Sequence, residues 1–137
     1  MALIIPNEGE KRLLDLLTAD RSNWSVRLFQ NDVTPADTDT VATYTEATFS
    51  GYSAQSCPAF AASVTNAAGK AEATASSAVA FTHSGGATAN TLYGYYVVRT
   101  GDSVLLFAER FSDGSRTLSS AGQEVRLTLT LTLTRES

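Results

Sequence analysis

"LYGYYVVRTGDSVLLFAERF", residues 92–111, sets two runs of eight residues on either side of Thr100-Gly101-Asp102-Ser103. Aromatic and aliphatic residues fill both runs and a Gly-Asp turn signal lies between them, which predicts an antiparallel hairpin. Side chains alternate faces along a strand, yet neither face here is polar. Tyr93, Tyr95 and Val97 alternate with Leu92, Tyr96 and Val98; Leu105, Phe107 and Phe111 alternate with Val104, Leu106 and Ala108. Such strands are expected to be covered on both sides, the outer face by a helix or by a neighbouring subunit.

Towards the C-terminus the alternation becomes one-sided. Val125, Leu127, Leu129, Leu131 and Leu133 stand against Arg126, Thr128, Thr130, Thr132 and Thr134. This predicts a strand with one buried side. A long uncharged threonine row left on an open edge would be a template for pairing, so the strand is expected to be inner in its sheet or to lie at a subunit contact.

Towards the N-terminus, residues 7–18 read as the one good helix. Asn7 is placed to cap it, Glu10 stands three residues later as in a capping box, and Leu13, Leu14, Leu16 and Leu17 are expected to share a face. Trp24, Val26 and Leu28 alternate with Ser25, Arg27 and Phe29 as a strand. A polar loop punctuated by Pro35 follows, then strand-like residues from Val41 to Ser50. The alanine-rich middle predicts strands Ala61–Asn66 and Ala71–Thr82 around a turn at "NAAGKA", and "HSGGATAN" reads as a loop. The expected architecture is mainly β: an antiparallel β-sandwich, jelly-roll-like, forming a single domain over residues 1–137 with helix 7–18 packed on it.

Composition narrows the function. At 137 residues one core is affordable, and 18% charged against 43% apolar residues is a folding composition. The net charge is −4 and the ten basic residues are scattered, so no stripe collects a phosphate backbone and no nucleic-acid partner is expected. A single cysteine excludes an intrachain disulfide, and a single histidine excludes a histidine-cluster metal site. The start "MALIIP" lacks a basic region and its apolar run ends at Pro6, too short for a secretory signal or a membrane span, which predicts synthesis in the cytoplasm and no membrane partner.

Candidate chemistry gives way to structural readings. Asp32, Asp37 and Asp39 offer oxygen ligands within one loop but lack the EF-hand spacing, and their composition is that of turns. His83 beside Ser84 has no nucleophile elbow and reads as an exposed turn. Glu46, Glu109 and Glu124 read as rim charges on strands, and Cys57 as a buried thiol. Trp24, Tyr93, Tyr95 and Tyr96 suit a core better than a sugar-stacking platform. No catalytic, cofactor-binding or metal-binding residue is assigned. The expected contacts with another subunit or partner are Thr128, Thr130, Thr132, Tyr93, Tyr95, Leu13 and Leu17.

Three stretches, "LIIPNEGEKRLLDLL", "VRLFQNDVTPADTDTVATYTEATFSGY" and the hairpin with its preceding "NT", together resemble small virion proteins of tailed bacteriophages. The resemblance spans most of the chain and rests on scaffold, not on a catalytic motif. It implies a non-enzymatic β-sandwich component of the virion, foremost a capsid decoration (cement) protein. Such a protein would assemble as a homotrimer on the major capsid protein or another virion protein. A small tail or fibre-tip protein that binds a host receptor or carbohydrate is the alternative it implies.

Overall fold

A computed structural model describes residue 1 and residues 3–133. Thr134, the last of the threonine row, lies outside the described residues. In chain order the elements are α1 (Asn7–Thr18), β1 (Trp24–Phe29), β2 (Gln55–Ser56), β3 (Val64–Thr65), β4 (Ala71–Thr74), β5 (Val79–Thr82), β6 (Asn90–Leu92), β7 (Gly94–Arg99), β8 (Val104–Arg110), β9 (Arg116–Leu118), β10 (Glu124–Leu127) and β11 (Thr130–Thr132). The protein is mainly β with one short N-terminal helix, and its sheets are antiparallel.

The described residues gather into two compact units. The first draws on residues 1–22, 58–78 and 127–133, and the second on residues 23–57 and 79–126.

In the first unit, a three-stranded sheet in the order β11-β4-β3 carries α1 on one face. Leu14 packs against Ala71 and Ala73, with Phe60, Leu131 and Leu133 around them. Alanine on β4 is what lets the helix lie close. The helix is also stitched to the loop before β3. Asp15 accepts a hydrogen bond from the Ser63 amide at 2.9 Å, and the Ser63 hydroxyl donates to the Lys11 carbonyl at 3.0 Å. The turn predicted at "NAAGKA" is present, with Asn66 Oδ1 accepting from the Ala68 and Lys70 amides and Gly69 at a φ of 74° that favours glycine.

The helix spans the predicted residues, but its polarity runs differently from the expectation. Pro6 takes the N-cap position and makes no side-chain bond, so the cap assigned to Asn7 falls one residue early. Its buried line is Glu10, Leu14 and Thr18. At 100° per residue, Leu13 and Leu16 fall well away from that line and are exposed, while Leu17 is half-buried. The four leucines therefore do not form one face.

In the second unit, the main sheet has the order β2-β1-β7-β8, joined by the small pairs β10-β5 and β6-β9. The β7–β8 hairpin is as predicted, with a register shift between Val97 and Val98 and Ser103 at a φ of 58° in its turn. One apolar cluster joins Phe29, Tyr44, Tyr96 and Val98. A second aromatic series runs Phe81, Tyr52, Phe49 and His83, with centroids 5.3 to 5.9 Å apart. The segment Val41–Ser50, expected as a strand, is instead a short 3-10 turn over Val41–Thr43 followed by a single bridge from Glu46 to Phe29. Its side chains do the covering. Tyr44 stacks on Tyr96 at 5.1 Å, and Val33 and Val41 pack on the same cluster, giving one face of the hairpin its cover.

The expected strand Ala71–Thr82 is broken at Ser76-Ser77 into β4 and β5, and the C-terminal strand is broken at Thr128-Leu129 into β10 and β11. Both breaks fall where the chain passes from one unit's sheet to the other's, since β10 pairs with β5 and β11 with β4. Among the described residues β11 is an edge strand, not an inner one.

Candidate interaction surfaces

The threonine side of β11 belongs to the outer face of the first unit's sheet. Thr130 stands opposite Thr74, Thr132 opposite Glu72, and Glu72 opposite Val64. Polar groups on this face satisfy one another: Thr130 and Thr74 share a hydroxyl bond at 3.3 Å, and Glu72 accepts from the Asn66 amide at 3.0 Å and the Thr132 hydroxyl at 3.5 Å. Thr128, Thr130 and Thr132 are exposed, and Leu129 beneath them is buried. Leucine side inward and threonine side to solvent is thus the monomer's arrangement.

Large apolar side chains are exposed along α1 and the segment before it. Leu3 is 93% exposed, Ile4 75%, Ile5 39%, Leu13 48% and Leu16 54%. Ile5 folds back over the helix, its Cγ2 occupying the space a Cβ on Gly9 would need. Glycine at position 9 is therefore what lets Ile5 join the stripe that Leu13 and Leu16 continue. The helix turns the line of Glu10, Leu14 and Thr18 into its own unit and an apolar line outward. Of the expected contacts, Leu13 lies in this outward stripe and Leu17 at its margin; Leu3, Ile4, Ile5 and Leu16 were missed. The signal was present in the sequence as the helical spacing from Gly9 through Leu13 to Leu16.

Tyr93 and Tyr95 belong to the second unit and are half-buried. Tyr93 packs beside the Phe29 cluster with the Arg110 guanidinium 5.2 Å from its ring centre. Tyr95 donates to Glu109 at 2.6 Å, and burial together with that carboxylate raises its hydroxyl pKa far above the ordinary 10.0. Trp24 is buried edge-on against Phe107, so its ring is not open for sugar stacking. Beside β8 lies an open cleft of about 310 Å³ lined by Pro35, Asp39, Tyr44, Leu105, Phe107 and Ala108 among others.

The residues weighed for catalysis or metal binding are occupied separately. Asp39 accepts from the Tyr44 hydroxyl at 2.7 Å and the Ala36 amide at 2.8 Å, which hold its pKa below the ordinary carboxylate value. Asp32 pairs with Arg110 at 2.6 Å, and Asp37 is exposed. Glu46 binds Arg27 and the Tyr52 hydroxyl, while Glu124 binds Arg126 and the Thr82 hydroxyl. His83, expected in an exposed turn, is 1% exposed; Nδ1 accepts from the Gly85 amide and Nε2 donates to the Thr88 carbonyl, both at 2.9 Å. The loop closes over the ring because its own backbone supplies both partners. Among the described residues no three His, Cys, Asp or Glu side chains converge as metal ligands.

No known protein family, curated sequence or solved structure matches the chain.

Proposed function

We propose that this protein is a non-enzymatic structural component of a tailed-phage virion, a decoration protein that binds the capsid lattice and acts through its surfaces. The observation that carries this reading is the outward apolar stripe of Leu3, Ile4, Ile5, Leu13 and Leu16 on so small a unit. Exposed apolar surface gathered on one element in this way marks sites where proteins meet. The resemblance of the hairpin and the two N-terminal stretches to small virion proteins supplies the setting. In it the protein self-associates and contacts the major capsid protein or another virion protein, and it needs no cofactor.

Antibody labelling of intact particles of the encoding phage, viewed by electron microscopy, tests the proposal. Label distributed over the head is the expected result. Label confined to the tail would replace decoration by the tail or fibre-tip role, and unlabelled particles with all of the protein in the soluble lysate would overturn a virion role.

A further inference from the structure

We propose that two copies of this chain associate through α1 packed antiparallel against itself, so that the self-association invoked above is two-fold in place of the expected trimer. The inference rests on the reading of the protein as one that self-associates, and adds which surface it uses and in which orientation.

The outward stripe supplies the apolar part of the contact. Leu3, Ile4, Ile5, Leu13 and Leu16 together expose the equivalent of about three large side chains. Three fully exposed aliphatic side chains are a substantial part of the apolar share of the about 800 Å² per partner in a standard interface. Exposed Glu8 and Arg12 border the stripe and supply the rest.

The charges choose the orientation. Glu8 and Arg12 are four residues apart and lie on the same flank of the stripe. In an antiparallel two-fold pair, like flanks meet. With the axis passing near position 10, Leu16 of each copy rests on Ile4 and Ile5 of the other, and Leu13 falls between the other's Ile5 and Gly9. The same reversal brings each Glu8 beside the other copy's Arg12, giving two equivalent ion pairs. In a parallel pair or a parallel trimer, the Glu8–Arg12 flank would meet the opposite flank, where Leu17 stands, and the charges would have no counterpart on the other copy. A two-fold contact uses one self-complementary patch and closes, leaving the rest of the surface for the lattice.

Light scattering and sedimentation of the purified full chain over a concentration series test this without any phage particle. The expected mass is that of a dimer. Leu16→Glu, at an exposed position, should keep the parent's melting temperature and weaken dimerisation on the order of a hundredfold. Glu8→Arg and Arg12→Glu should each weaken it several-fold, and the double exchange E8R/R12E should restore it, because the pairs are reciprocal. A monomer at every concentration would overturn the proposal, as would a trimer, or a dimer indifferent to L16E. A dimer whose single charge variants weaken it but whose double exchange fails to recover would overturn the antiparallel orientation. A monomer that still coats particles would sink this inference alone. A dimer broken by L16E on a protein absent from particles would sink the virion role alone.

Discussion

A side chain at Gly94 has nowhere to go: its Cβ would collide with the Glu109 carbonyl oxygen and the ring of Phe29. One neighbour is backbone in the β7–β8 ladder and the other is a buried ring, so neither can move aside. Gly94→Ala is therefore expected to destabilise the fold by about 1–3 kcal/mol, the usual range for overpacking. Urea denaturation measures it, and a midpoint equal to the parent's would mean that β8 and the Phe29 ring sit further from Gly94 than described. Tyr52 shows the same economy of space with polar atoms. Its hydroxyl accepts from the Leu28 amide at 3.2 Å and donates to Glu46 at 2.9 Å, tying the irregular segment before it to β1.

Along the last strand, the two faces call for opposite results. Leu129 is buried, and Leu129→Asp would place a charge without a partner in the apolar interior, a loss of several kcal/mol. Thermal unfolding followed by circular dichroism should show the melting temperature collapse. Thr130→Lys with Thr132→Lys changes only exposed positions and brings a cation beside Glu72, so stability should stay within about 0.5 kcal/mol of the parent. The same double variant should keep the parent's mass in light scattering, since the self-contact is assigned to α1 on the other side of the sheet. A drop to monomer would return the contact to the threonine face.

For the molecule as a whole, titration sets two limits on stability. Tyr44, Tyr52, Tyr95 and Tyr96 have hydroxyl pKa values raised above the ordinary 10.0, in each case first by burial and then by a neighbouring carboxylate, Asp39, Glu46 or Glu109. A raised value means the folded state holds the proton more tightly. Their contribution is complete below pH 10 and is lost as the pH climbs towards the folded values. Asp15 and Asp39 are lowered below 3.8, by the Ser63 amide and the Tyr44 hydroxyl respectively, so their contribution is present above that value and fades as acid reaches the lower folded values. Stability against urea is therefore expected to be flat near neutrality and to fall on both sides. The alkaline loss should begin above pH 10 and coincide with the appearance of tyrosinate absorbance. Loss that begins well below pH 10 would mean the tyrosines are not what sets that limit.

The residues alone determined that the chain is mainly β, that residues 7–18 are its helix, that 92–111 is a hairpin, and that Leu129 points inward and Thr130 outward. These follow from period and turn chemistry, which act over a few neighbours. Only the tertiary structure decided where the long alternating strands break, because a run such as Val125–Leu133 alternates correctly whether it serves one sheet or two. It likewise decided that Val41–Ser50 covers the hairpin as irregular chain: β-branched residues suit a strand, but Asn31 and Gln30 hold this segment by side-chain bonds to the Thr43 and Glu46 carbonyls. The burial of His83 needed the Gly85 amide and Thr88 carbonyl to meet around its ring, a closure invisible in "THSGGAT". And the contact surface assigned to α1 depended on which of four leucines the sheet would take. Ala71 and Ala73 leave room for Leu14, and the angle of the helix then turns Leu13 and Leu16 away.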